Sequence, residues 1–173
     1  MLQVEGQLEF GEYLRANYWY MLRKFKWFFA LLLFSGVVYP AMYFAGIFGR
    51  RPVHPVESSW GFLLPFGLVT FMLVATYLGA RRHFSSNKML AQRVQYVFTT
   101  DDIKTAGPLS SGRISWETLT HVYETGHAFL LFVSNLQMIV LPKRYFETPD
   151  LLTRFRQLVN ECVGKRARLR SSA

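Results

Sequence analysis

Two stretches of the chain contain no Asp, Glu, Lys, Arg or His and are apolar almost throughout: Trp27 to Gly49 and Ser58 to Ala80, 23 residues each. A helix needs about 20 residues to cross a hydrocarbon layer about 30 Å thick, so both runs predict transmembrane helices. Core helices of soluble proteins are normally shorter and amphipathic, and a cleaved leader would not be followed by a second equivalent run. The link Arg50–Glu57 is short and carries Pro52 and Pro55. It turns the chain back on itself and predicts an antiparallel membrane hairpin with both chain ends on one side. The absence of an ionisable side chain within the runs speaks against an ion path or proton relay. Ala41/Ala45 and Ala75/Gly79 have small-xxx-small spacing, which suits helix contact within the hairpin or between copies in a homo-oligomer.

From Arg93 the pattern changes to short β-type runs separated by turn residues. Gln95–Thr99, Ile103–Ala106, Arg113–Trp116, Leu119–Glu124, Ala128–Val133 and Leu136–Leu141 predict six strands, with turns at Asp101-Asp102, Gly107-Pro108, Ser110-Ser111-Gly112, Gly126 and Ser134-Asn135. Pro142 cannot donate to a ladder and stops the last of them. Strands so closely spaced predict an antiparallel meander. The nearly continuous apolar character around Leu130 and Ile139 predicts strands covered on both faces. One helix follows: Thr148 caps it, Pro149 suits its first position and Asp150 the positive end of its dipole. Leu151, Leu152, Phe155, Leu158, Val159 and Cys162 form its apolar stripe, and Gly164 stops it. Cys162 is a small buried hydrophobe on that stripe. Ahead of the apolar runs, Val4, Gln7, Leu8 and Phe10 predict a strand, and Tyr13, Leu14, Tyr18 and Met21 a helix leading toward the membrane. The expected division is thus 1–26, an N-terminal strand and juxtamembrane helix that joins the soluble part; 27–80, the hairpin; 81–164, the β domain with its helix; and 165–173, a basic tail.

Charge adds a direction. The 173 residues hold 20 Lys or Arg against 11 Asp or Glu, a net +9, yet 51% of the chain is hydrophobic. A basic protein that binds nucleic acid would not concentrate its apolar residues in two spans. Arg15, Arg23, Lys24 and Lys26 precede the first run, Arg81, Arg82, Lys88 and Arg93 follow the second, and only Arg50 and Arg51 lie between them. The positive-inside rule then predicts a two-pass membrane protein with both termini in the cytoplasm. Trp19, Tyr20, Trp27, Phe48 and Trp60 fit interfacial anchoring.

The segments Tyr96-Val97-Phe98-Thr99-Thr100-Asp101-Asp102-Ile103, Ile114-Ser115-Trp116-Glu117-Thr118-Leu119, Val122-Tyr123-Glu124-Thr125 and Ile139-Val140-Leu141-Pro142-Lys143-Arg144-Tyr145-Phe146 resemble the YcxB-like family of bacterial membrane proteins. Leu8-Glu9-Phe10-Gly11-Glu12-Tyr13-Leu14 matches the family's acidic opening loosely, and Pro-Lys-Arg-x-Phe is the most specific element. The resemblance implies a membrane α-helical hairpin plus an α+β domain, a small antiparallel pleckstrin-homology-like β-sheet capped by one C-terminal helix. It carries over no catalytic residue.

The chemistry-bearing residues point the same way. His54, His83, His121 and His127 form no HxH, HxxxH or HExxH spacing, so no metal is expected. Neither a nucleophile elbow nor a glycine-rich phosphate loop is present, and a single cysteine excludes an internal disulfide. No cofactor and no enzyme activity are expected. Trp116 either seals the end of the sheet or anchors a ligand. Lys143 and Arg144 at a strand end, Arg154 and Arg156 off the apolar stripe, and Lys165, Arg166, Arg168 and Arg170 in the tail are the candidate cations for anionic lipid headgroups or for a membrane protein partner. Two functions follow: a docking or regulatory module held at the cytoplasmic face of the membrane, or an immunity or antitoxin protein that neutralises a membrane-active toxin or bacteriocin.

Overall fold

The structure, a computed structural model, describes residues 1–38, 41–42, 45, 55–88, 90–109, 111–134 and 137–169, with the backbone alone for 55–65. Two compact units are present, one formed by residues 1–16 and 81–173 and the other by residues 17–80.

The first unit is α+β. Strand β1 (Leu2–Gln7) pairs antiparallel with β2 (Arg93–Phe98), which continues through β3 (Asp102–Ala106) to β4 (Ser111–Ser115). The N-terminal segment and the segment after the apolar runs thereby form one sheet. After β4 the chain does not continue the meander. Ser115 Oγ accepts from the Glu117 amide and caps a 3₁₀ turn at Trp116–Thr118, and β5 (His121–Glu124) starts a second sheet with β6 (Ala128–Phe132) and β7 (Met138–Pro142). The single expected meander is therefore two sheets, because a tight turn with the bulky Trp116 in it breaks the ladder between β4 and β5. Every residue of β6 is buried, as its apolar run predicts, whereas β7 is buried only in its second half. That difference follows from order: β6 lies between β5 and β7, and β7 is an edge.

The C-terminal helix, α4 below, spans Pro149–Val163. The Thr148 hydroxyl accepts from the Leu151 amide at 3.3 Å, and Gly164 leaves the helix at φ 58°, where a side chain would be strained. Its stripe fills the core between the sheets, with Phe155 and Val159 fully buried among Leu2, Phe98, Leu119, Phe129 and Leu141. Beyond the helix the described residues continue to 169. Gly164–Arg166 forms a 3₁₀ turn, and Ala167–Arg168 becomes β8, parallel to β5 at its outer edge.

The second unit holds most of α1 (Phe10–Lys24), then α2 (Lys26–Leu33), a π-helical turn at Phe34–Val38 and most of α3 (Pro55–Ser86). Within it Tyr18 donates to the Leu73 carbonyl at 3.1 Å, and Thr76 donates to the sulfur of Met21 at 3.0 Å. Among the described residues no helix is long and apolar enough to cross a membrane. Of the first expected span, residues 39–40, 43–44 and 46–49 lie outside the described residues. So do the side chains of 58–65 in the second span and residues 50–54 of the link. The expected hairpin is accordingly not seen as a pair of complete spans. What is described of it is inverted relative to a soluble protein: α2 has no buried residue, and Trp27, Leu31 and Phe71 are 78%, 64% and 70% exposed.

Candidate functional site

Among the described residues of the α+β unit, three polar nodes join different elements. The first is built on the turn between β2 and β3. The Thr99 hydroxyl donates to Asp102 Oδ1 at 2.6 Å, the Asp102 amide donates back to Thr99 Oγ1 at 3.0 Å, and Arg113 of β4 binds the other carboxylate oxygen. Trp116 Nε1 donates to the Thr99 carbonyl at 2.9 Å. The hydrogen bond from Thr99, followed by that of Arg113 and its charge, holds the Asp102 carboxyl below the usual carboxylate range. Trp116 is buried against Phe98, and its indole N–H is satisfied by the Thr99 carbonyl.

At the second node stands Glu124, the last residue of β5, whose side chain is fully buried. Lys143 Nζ lies 2.5 Å from its Oε1, and Arg156 of α4 reaches both oxygens, at 2.7 and 3.1 Å. The carboxylate raises the affinity of Arg156 for its proton. Arg144 forms the third node. It donates to Glu12 at 2.6 and 3.1 Å and to the Gln7 carbonyl at 2.8 Å, and it lies 3.0 Å from Glu9. Glu12 also accepts the Glu9 amide, closing the first turn of α1. This node ties the end of β1 and the start of α1 to the turn after β7.

The candidate cations therefore divide. Lys143, Arg144 and Arg156 are engaged in ion pairs with Glu124, Glu9 and Glu12. Arg154 pairs with Asp150 at 3.1 Å on the exposed face of α4. Arg166 donates to the carbonyls of Glu117 and Leu119 at 3.1 and 2.7 Å, and Arg168 lies over the Tyr123 ring at 5.9 Å. The basic tail is thus docked on the second sheet through residue 168; Lys165 is exposed, and Arg170 lies outside the described residues. Sequence reasoning missed Glu124, Glu9 and Glu12 as the partners of these cations. Charge counting alone cannot find them, because the pairs with Glu124 are separated by 19 and 32 positions and that of Arg144 with Glu12 by 132.

A cleft of about 130 Å³ opens between β2 and β7, lined by Gly6, Tyr13, Val94, Tyr96, Val140 and Tyr145 among others. It is well below the roughly 300–1,000 Å³ of ordinary ligand pockets. Its floor depends on Gly6, where an added Cβ would stand 2.1 Å from Cε1 of Tyr145. Burial raises the Tyr145 and Tyr96 hydroxyls above the ordinary phenol range. Gly6→Ala should lower stability by about 1–3 kcal/mol through overpacking, read as a fall in the urea midpoint of the full chain in mild detergent. Gly6→Ala combined with Tyr145→Leu should recover part of the loss. Among the described residues no group of three His, Cys, Asp or Glu side chains is placed to hold a metal ion.

Residues 98–159 match the profile of a family described as YcxB-like protein, a stretch that runs from the end of β2 through both sheets and most of α4. The chain is 20% identical over 163 residues to "Uncharacterized protein YcxB" of Bacillus subtilis (strain 168), covering 91% of this chain and 87% of that protein. No solved structure matches the chain. The segments joined by the three nodes are largely those that carry the family likeness, and over residues 98–159 the chain is similar in sequence to YcxB-like proteins.

Proposed function

We propose that the protein is a non-enzymatic bacterial membrane protein. In this reading residues 27–80 anchor it, and its α+β unit acts as a pleckstrin-homology-like docking or regulatory module at the cytoplasmic face. The observation that carries the reading is the contrast between the two units. The α+β unit closes a continuous apolar core, whereas the other turns Trp27, Phe28, Leu31, Leu33, Phe34 and Phe71 outward. Soluble monomers rarely expose contiguous apolar surface beyond a few hundred Å². In lipid the same side chains need no cover. Two sheets with a C-terminal helix packed into them support the pleckstrin-homology-like reading of the module, and the likeness to a protein of Bacillus subtilis supports its being bacterial.

Reporter fusions test the topology. A fluorescent protein at the C-terminus should fold and fluoresce, an alkaline phosphatase there should be inactive, and phosphatase placed within Arg50–Glu57 should be active. A periplasmic C-terminus, or release of the full chain from membranes by alkaline carbonate, would defeat the reading.

A further inference from the structure

Beside the outward apolar surface of the second unit, the junction of α1 and α2 carries a cluster of basic groups. Leu22 through Phe28 are all exposed, and they hold three cations, Arg23, Lys24 and Lys26, beside three rings, Phe25, Trp27 and Phe28. The Arg23 guanidinium lies 5.3 Å from the Trp19 ring, Lys24 Nζ 5.6 Å from Tyr20 and 5.7 Å from Phe25, and Lys26 Nζ 5.4 Å from Trp27. The first two pairs are four positions apart on α1, so helix geometry holds each charge one turn nearer the apolar run than its ring. Helix α1 ends at Lys24, and Phe25, at φ −105° and ψ 21°, interrupts the path before α2 begins at Lys26. From Trp27 onward the exposed side chains are apolar. Trp and Tyr favour the headgroup level of a bilayer, which sets Arg23, Lys24 and Lys26 at the depth of the lipid phosphates. The local charge is also one-sided, since no carboxylate occurs in the sequence between Glu12 and Glu57.

We infer that Arg23, Lys24 and Lys26, oriented by Trp19, Tyr20 and Trp27, form a headgroup belt that selects anionic phospholipids on the cytoplasmic leaflet. The inference rests on the membrane reading above and moves lipid recognition from the α+β unit to the junction of α1 and α2. The occupant is a phospholipid headgroup because the cations sit at the edge of an outward apolar surface, where a free phosphate would leave that surface uncovered.

The full chain, reconstituted in nanodiscs of phosphatidylcholine with one-third phosphatidylglycerol, can be probed with spin-labelled forms of both lipids. The motionally restricted fraction of each gives their relative association. Phosphatidylglycerol should be favoured about two- to five-fold at low salt, the scale expected of a few basic residues at an anionic surface. Screening at high salt should reduce that preference. Arg23→Gln/Lys24→Gln/Lys26→Gln should bring it to about one, whereas Arg154→Gln should leave it unchanged. A ratio near one in the unaltered protein, or a preference that survives the triple substitution, overturns the belt. If neither lipid shows a restricted fraction, the membrane reading itself fails, which separates the two outcomes.

Discussion

Phe155→Ala is expected to lower the free energy of unfolding by about 3–5 kcal/mol, the cost of removing a fully buried aromatic and leaving a cavity. Phe155 projects from α4 onto three rings, with centroids 4.8 Å from Phe98, 4.8 Å from Phe129 and 5.0 Å from Phe146. Phe98 ends β2 in the first sheet, Phe129 lies in β6 of the second, and Phe146 follows the turn after β7. One side chain therefore links both sheets to the helix, and its removal leaves a void bordered by elements that cannot all close in together. Urea titration of the full chain in mild detergent, followed by tryptophan fluorescence in a background where Trp19, Trp27 and Trp60 are replaced by Phe so that only Trp116 reports, would measure the loss. Phe155→Leu keeps part of the volume and should cost clearly less. A loss below about 1 kcal/mol for the alanine variant would mean that the sheets and helix close over the gap, contrary to a core centred on Phe155.

The legibility of this residue from sequence is instructive. Phe155 stood on a stripe whose period, cap and stop were all local: Thr148, Pro149, Asp150 and Gly164 lie within or beside the helix they define. The β-runs were legible for the same reason, each bounded by its own turn residues, and Pro142 ended β7 as its missing N–H requires. What was not legible depended on pairing across distance. Ala167–Arg168 is too short to show a period of two, and it becomes a strand only because β5 offers an open edge. The division into two sheets turns on the 3₁₀ turn at Trp116, whose residues also fit the end of a continuous strand. The ion pairs of the cations were the least legible. Lys143, Arg144 and Arg156 are conspicuous in sequence, while the carboxylates that bind them lie on other elements and carry no local mark. The segments with the strongest family likeness hold much of this polar framework, so that likeness speaks to architecture first.

Glu124→Ala should destabilise the protein by about 2–4 kcal/mol. Removing one partner of a buried ion pair typically costs about 3–5 kcal/mol, and the residual exposure of the two cations lowers that figure. The Glu124 carboxylate is wholly buried, while the side chains of Lys143 and Arg156 keep 20% and 23% exposure. Without Glu124 these two positive groups face each other across a site from which water is mostly excluded. Repulsion would then push apart α4 and the turn after β7, the two elements that Phe155 and Phe146 hold together. Replacing the whole triad, with Glu124→Leu, Lys143→Met and Arg156→Met, removes the charges as well as the pairing. It should recover most of the stability lost in Glu124→Ala, because desolvating three charged groups offsets much of what their attraction provides. Urea midpoints for the single and triple variants make the comparison. If the triple variant is no more stable than Glu124→Ala, the loss comes from packing around β5 and not from uncompensated charge. The same comparison bears on function: since Lys143 and Arg156 support the fold through Glu124, loss of lipid binding on neutralising either one is evidence of headgroup contact only when the triad variant, folded and without those cations, loses it too.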